Sequence, residues 1–169
     1  MSRLFALIKL YSEGRAIMTT GFPALELWYS IAMPTHLGAW VKHNSSAVSS
    51  VAQFQAWEPL LFYGSFGQYR QRANDVFEFN LIHQKEIADH PTPKQVALFA
   101  EFVKYYTSPE DSVIDWFGGS GTTLVACEQL GRICLMMEID PHYCDIIIAR
   151  WEKLTGQKAK RLLGAVVQK

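Results

Sequence analysis

Asp115-Trp116-Phe117-Gly118-Gly119-Ser120-Gly121-Thr122-Thr123 gathers a carboxylate, three glycines and three hydroxyl side chains into one short stretch. The apolar run Ser112 to Phe117 before it reads as a strand, and Thr122 opens a helix. Glycines in a strand-to-helix turn let the backbone pass close to a ligand where a Cβ would clash. The first N–H groups of the helix have no partner inside it and can face that ligand. A turn of this kind at the carboxyl end of a strand forms the small-molecule crevice of an open α/β sheet. Glu138, at the end of the next apolar run, is placed to accept both hydroxyls of a ribose.

Three ligand chemistries compete for the loop. A phosphate-binding loop needs lysine after its last glycine, and Thr122 stands there. A dinucleotide fingerprint begins with Gly119-Ser120-Gly121, but Leu124 occupies the place of its third glycine. What remains is Asp-x-Phe-x-Gly-x-Gly with the acids Glu138 and Asp140 at the end of the following strand. A lone Gly-x-Gly is also the mark of an ordinary structural turn, so the flanking residues decide.

Those flanks are His90-Pro91-Thr92-Pro93-Lys94 before the loop and Glu138-Ile139-Asp140-Pro141, then Tyr143-Cys144, after it. With them the chain resembles the permuted (beta) class of amino-group DNA methyltransferases. These enzymes use S-adenosylmethionine (SAM) to modify adenine N6 or cytosine N4. Members typically read His-Pro-Thr-Gln-Lys-Pro, then Asp-Pro-Phe-x-Gly-Ser-Gly-Thr-Thr, then Glu-x-Asp-x-x-Tyr. The likeness is strongest from Asp89 to about Leu154. It extends over about Gly14 to Gly64, where Ala39-Trp40-Val41-Lys42 and Trp57 to Tyr63 fit the later strands of the class. Departures are Trp116 for proline, Pro93 for glutamine and Gln95 for proline.

The resemblance implies a SAM site made by Asp115, Phe117, Gly118, Gly119, Ser120, Gly121, Thr122, Thr123, Glu138 and Asp140. Thr92 and Lys94 would lie on its methionine side. Plainer roles compete at several positions. Asp115 can cap its own turn, and Thr122 and Thr123 can cap the helix. Asp140 reads as the cap of the next helix, Thr92 as the cap of the preceding one, and His90 as a structural residue. Base recognition in the class comes from the stretch that is here about Ser65 to Ala88. Gln68, Tyr69, Arg70 and Arg72 combine base-edge readers, phosphate partners and a stacking ring, and double-stranded DNA is the expected partner. A solvent loop is the competing reading, and a full target-recognition domain cannot fit there.

Methylating an exocyclic amino group needs an acceptor for its N–H bonds and a ring for the flipped base. The class supplies both with Asp/Asn/Ser-Pro-Pro-Tyr/Phe/Trp. None of the 7 prolines here is adjacent to another, so no catalytic residue is assigned. The chain is therefore expected to lack part of the amino-terminal half of its fold. A second chain or a homodimer partner could supply the missing segment; a SAM-binding remnant or subunit without turnover is the alternative. In the class fold the missing strand lies between the strand ending at Phe117 and the one at Arg15 to Thr20. The gap is expected to close by direct pairing of those two strands or by a strand from another chain.

The 169 residues can bury one core, and 49% hydrophobic with 13% aromatic residues marks a globular chain. A formal charge of zero excludes a uniformly basic nucleic-acid-binding surface. The basic run Arg150, Lys153, Lys158, Lys160, Arg161 and Lys169 is either a local DNA patch or a solvated helix face and tail. Cys127, Cys134 and Cys144 form no Cys-x-x-Cys pair, are odd in number, and read as reduced core thiols with no metal site, in a cytoplasmic protein. No run reaches the roughly 18 apolar residues of a membrane span.

The expected architecture is α/β, a doubly wound, mostly parallel sheet of the SAM-dependent methyltransferase type, incomplete in its amino-terminal half. One domain spans 1–169. Residues 1–64 hold the later strands, 65–89 a short DNA-facing segment, 90–156 the SAM-binding half and 157–169 a basic tail. Leu4 to Tyr11 reads as helix, Arg15 to Thr20 as strand, and Phe22 to about Ala32 as helix. Ala39 to Lys42 and Pro59 to Tyr63 read as strands, and Asp75 to Phe79 alternates at period two. Thr92 with Pro93 and Gln95 forms a capping box for a helix reaching Ser108. Strand Ser112 to Phe117, helix Thr122 to Leu130 closed by Gly131, strand Ile133 to Ile139, and a helix from Asp140-Pro141 to Gly156 complete the pattern.

Overall fold

The computed structural model describes residues 16–19, 22–43, 47–48, 53–54, 56–65, 74–80 and 94–162. Strands β1 (Ala16–Thr19), β2 (His36–Val41), β5 (Trp57–Tyr63) and β6 (Val76–Glu78) form a sheet in the order β1-β5-β2-β6. Strands β3 (Ala47–Val48) and β4 (Gln53–Phe54) make a small hairpin between β2 and β5. Strands β7 (Ser112–Asp115) and β8 (Ile133–Met136) pair in parallel as a separate two-stranded sheet. Helix α1 (Phe22–Ile31) follows β1, and α2 (Val96–Tyr106) precedes β7. Helix α3 (Thr122–Leu130) connects β7 to β8, and α4 (Pro141–Thr155) follows β8.

The unbroken apolar run of β5 is explained by cover on both faces. Leu60 and Phe62 point into a core with Trp40, Phe77, Leu98 and Phe102. Leu61 and Tyr63 point the other way, against Leu25, Trp28, Tyr29 and Ile31 of α1. Period-two alternation across a strand buried on two sides gives this split. Both β1 and β2 run antiparallel to β5, while β6 runs parallel to β2. Within this sheet β5 is thus the one reversed strand. The β3–β4 hairpin permits that reversal, where a parallel return would need a long crossover.

Pro59 sits inside β5, where a missing N–H would ordinarily break a ladder. Its partner Ala39 directs its own N–H to Asp75 O at 2.7 Å, toward β6. Pro59 therefore faces the β1 side, and the described β1 ladder ends one pair earlier, at Thr19 and Leu60.

Helix α2 ties the two sheets together. Leu98 and Phe102 enter the core of the larger sheet, while Val103 packs with Ala126 and Cys127 of α3. Cys127 is buried, Cys134 and Cys144 are partly buried, and all three are free thiols. No helix among the described residues is long and apolar enough to cross a membrane.

Several expectations need correction. The helix expected to start at Pro93 begins at Val96, with Gln95 in its N-cap position, extended at φ −69° and ψ 132° and making no side-chain cap. A Thr92 capping box cannot serve a helix that starts there; Thr92, Pro93 and His90 lie outside the described residues. Strands β7 and β8 stop at Asp115 and Met136, short of Phe117 and Ile139, because their mutual ladder ends there. Among the described residues β7 does not pair with β1, so direct closure between them is not what forms. Leu4 to Tyr11 lies outside the described residues.

Candidate functional site

The turn from β7 to α3 is held by its own side chains. Asp115 accepts the Phe117 N–H on Oδ1 at 3.0 Å and the Thr123 hydroxyl on Oδ2 at 2.6 Å. The carboxylate thus spans the turn and pins the start of the helix to the end of the strand. Gly118 donates its N–H to Met137 O at 2.8 Å, and Gly121 donates to Gly118 O at 2.8 Å. Gly119 donates to Glu138 Oε2 at 2.7 Å. The N–H groups of all three glycines are therefore taken up within the protein.

Glycine is required here for two separate reasons. A Cβ on Gly118 would lie 2.7 Å from Met136 Sδ and 3.1 Å from Ile147 Cδ1. Gly121 adopts φ 79°, a left-handed conformation that L side chains adopt at a cost, as it turns the chain into α3. Close approach at Gly118 is to the protein's own packing, with α4 supplying Ile147.

Glu138 joins the loop to the next turn. Its Oε1 accepts the N–H of Ile139 at 2.8 Å and of Asp140 at 2.9 Å, while Oε2 holds Gly119. Asp140 takes the cap reading: its Oδ1 accepts the His142 N–H at 2.9 Å, with Pro141 in the first turn. Two exposed apolar side chains neighbour this bond along the chain, Phe117 before Gly119 at 62% and Ile139 after Glu138 at 97% exposure. Ser120, Thr122 and Thr123 are buried. Thr122 donates its hydroxyl to Lys94 O at 3.3 Å, which brings Lys94 to the loop.

Two features had no place in the sequence reading. Arg150 of α4, counted there in a basic run, turns inward and donates a guanidinium N–H to Ser120 O. Burial lowers its affinity for a proton, the penalty any charge pays on leaving water. Lys158 of the same run pairs with Glu152 at 2.8 Å, and Lys169 lies outside the described residues. The second feature is Glu58, which holds Lys42 at 2.9 Å and Lys94 at 2.7 Å, one on each oxygen. Burial by itself would raise the Glu58 carboxyl, but Lys94 and then Lys42 outweigh it and hold it below its ordinary value. The misplaced charges in two apolar strands, Lys42 after Ala39 to Val41 and Glu58 inside Trp57–Tyr63, were the available signal.

The structure thus brings together Asp115, Phe117, Gly118, Gly119, Ser120, Gly121, Thr122, Thr123, Glu138, Asp140 and Lys94. Gln68, Tyr69, Arg70, Arg72 and Thr92 lie outside the described residues. Among the described residues no group of His, Cys, Asp and Glu is arranged to hold a metal ion.

The chain has known relatives in sequence and in fold. An alignment 92 residues long, covering 50% of this chain, is 33% identical to the type II methyltransferase M.MjaII of Methanocaldococcus jannaschii and covers 17% of that protein. The type II methyltransferase M.HpaI of Haemophilus parainfluenzae is 31% identical over 91 residues, covering 52% of this chain and 29% of that one. The chain therefore spans less than a third of the length of either relative. The solved complex of M1.HpyAVI with SAM superimposes with a TM-score of 0.67 at 22% identity, over 82% of this chain and 74% of that one. The PvuII DNA methyltransferase, cytosine-N4-specific, gives 0.63 at 17% identity, over 85% and 68%. Such identities establish the fold alone: an α/β sheet of the SAM-dependent methyltransferase type, present here in part. The family model for DNA methylases acting at N6 or N4 matches residues 39–149, from within β2 to within α4, and the chain belongs to that family.

Proposed function

We propose that this chain is the SAM-binding portion of an enzyme that methylates an exocyclic amino group of DNA, at adenine N6 or cytosine N4. The observation that carries the reading is the union of the glycine loop with Glu138 through the Gly119 N–H. The donor set fits the cofactor. A ribose diol needs a fixed carboxylate, which Glu138 offers. A purine needs apolar surface, which exposed Phe117 and Ile139 offer. A methionine carboxylate needs a cation, which the Lys94 ammonium offers from its place between Glu58 and the Trp40 ring, its own carbonyl being held by Thr122. Asp115 and Thr123 brace the glycine turn, with Gly118, Ser120 and Gly121 forming it and Asp140 capping the next helix.

When bound, SAM supplies an activated methyl group. The described residues contribute binding and orientation, by which much of such a barrier is lowered. An acceptor for the target amine is a separate requirement, and the sequence holds no Pro-Pro-Tyr type segment to meet it. Methyl transfer is therefore expected to need that segment alongside this chain. Double-stranded DNA is the proposed substrate, with Gln68, Tyr69, Arg70 and Arg72 as candidate contacts. The alternative reading is a SAM-binding remnant or subunit that engages a partner methyltransferase chain without turning over itself.

Calorimetric titration with SAM and with its demethylated product tests the binding, which should be saturable and one to one. No binding of either would end the reading. Labelled SAM with mixed-sequence DNA tests the division of labour: the pure chain should transfer no methyl group, and turnover above background would refute it.

A further inference from the structure

A lysine is rarely buried unless its charge is met. Lys42, directly after β2, is only 4% exposed. Its Nζ donates to Glu58 Oε1 at 2.9 Å, and Lys94 Nζ donates to Glu58 Oε2 at 2.7 Å. Both ammonium groups lie over the Trp40 ring, 5.3 and 4.8 Å from its centroid, where the ring face attracts a cation. One carboxylate between two cations leaves the cluster one positive charge in excess.

The two lysines differ in what they can reach. The Lys42 side chain is buried, whereas that of Lys94 is 30% exposed. The Lys94 carbonyl also accepts the Thr122 hydroxyl at the first residue of α3. Lys94 thus has its ammonium on the four-stranded sheet and its backbone on the helix behind the glycine loop. A free lysine side chain loses rotamer entropy when fixed, so an anchor that fixes it in advance favours whatever anion it meets.

We propose that Glu58 is a positioning residue for the SAM site: it fixes the Lys94 ammonium over Trp40, with Lys42 on its other oxygen. Glu58 thereby sets where the segment before α2 meets the glycine loop. The inference rests on the reading of that loop as the SAM site, with Lys94 at the methionine end. It adds to that reading a contribution from the sheet on the far side of α2.

The test is a double-mutant cycle on the 169-residue chain, read as SAM affinity by calorimetry in wild type, Glu58→Gln, Lys94→Met and the pair. Each single change should weaken binding about tenfold, the range of one charge-assisted hydrogen bond. The pair should be no weaker than Lys94→Met within a factor of about two, because the Glu58 effect passes through Lys94. Losses that multiply to about a hundredfold in the pair would overturn the inference, as would wild-type affinity in Glu58→Gln. Since Glu58→Gln strands the buried Lys42 ammonium, the cycle is repeated in a Lys42→Met background, where the same pattern is expected and its absence is equally fatal. Amide exchange at Phe99, whose N–H donates to Gln95 O at 3.5 Å, needs no ligand and should quicken in Lys42→Met/Glu58→Gln relative to Lys42→Met. Unchanged exchange would overturn the positioning role by itself, whereas failure of the wild type to bind SAM would overturn only the reading of the site.

Discussion

The N–H of Gly119 donates to Glu138 Oε2 at 2.7 Å, and this bond closes the glycine loop onto the end of β8. The other oxygen of Glu138 gathers the N–H groups of Ile139 and Asp140, so one carboxylate pins two turns. Its orientation is set by the fold itself. A diol that meets this carboxylate finds an acceptor already in place and shares Oε2 with Gly119, and such preorganisation favours binding.

Glu138→Ala should therefore act twice. Loss of the acceptor should weaken SAM binding by at least about tenfold, since a hydrogen bond to a charged group contributes about 1.5–3 kcal/mol. Loss of the pin should quicken amide exchange at Gly119 with no SAM present. Unchanged affinity would remove the ribose assignment, and unchanged exchange would remove the pin.

Gly118 and Gly121 should rank in a definite order. A methyl at Gly118 meets Met136 Sδ at 2.7 Å, and a methionine side chain can move. Alanine there should cost about 1 kcal/mol, and Met136→Ala should recover part of it. Alanine at Gly121 meets Ile147 Cγ1 at 3.1 Å and is also held at φ 79°. That backbone strain cannot be relieved by a neighbour and should add about 1–2 kcal/mol. Urea unfolding of the two variants checks the order, and a larger loss at Gly118 would contradict it.

What the sequence made legible follows from how local each signal is. Gly131 closes α3, and Asp140-Pro141 and Gly156 bound α4, as the sequence specifies; the N-cap of α3 is instead Gly121 with no side-chain cap, because the Thr122 and Thr123 hydroxyls go to Lys94 O and Asp115. The start of α2 was misread because a local capping pattern competed with a distant demand. Lys94 is drawn to Glu58, and the Gln95 side chain reaches Asn80 O, which leaves Gln95 extended and delays the helix to Val96. Glu58 shows in the sequence only as a charge inside an apolar strand, with nothing to name its partners. Only the β2–β5 register and the approach of Lys94 bring its partners to it. Strand ends at Phe117 and Ile139 were overestimated because hydrophobicity marks an apolar run, whereas a ladder ends where its partner does.

Arg150 offers a prediction that separates structure from DNA contact. Its guanidinium holds Ser120 O from α4 and is partly buried. Arg150→Met should destabilise the chain by about 1.5–3 kcal/mol, as loss of a charge-assisted bond does. A partly buried bond is screened little, so the loss should be nearly the same at low and high salt. Urea unfolding at the two ionic strengths checks it. A loss that appears only at low salt would return Arg150 to the surface patch.

The Glu58 cluster predicts how stability depends on pH. Its carboxyl is held below the ordinary value because Lys94 and Lys42 outweigh the burial that would raise it. A carboxyl lowered on folding binds its proton less readily in the folded chain than in the unfolded one. It therefore stabilises the fold at pH above its unfolded value, near 4.3, and that contribution is lost as pH falls through the lower folded value. At neutral pH Glu58→Gln should be about 3 kcal/mol less stable than wild type, since it leaves Lys42 buried without its counter-charge. The gap should narrow below about pH 4.3, as the wild-type carboxyl takes up a proton and comes to resemble the amide. Unfolding by urea at a series of pH values gives the two curves. If they run parallel from neutral pH through that acid window, Glu58 is not the charged centre that joins Lys42 to Lys94.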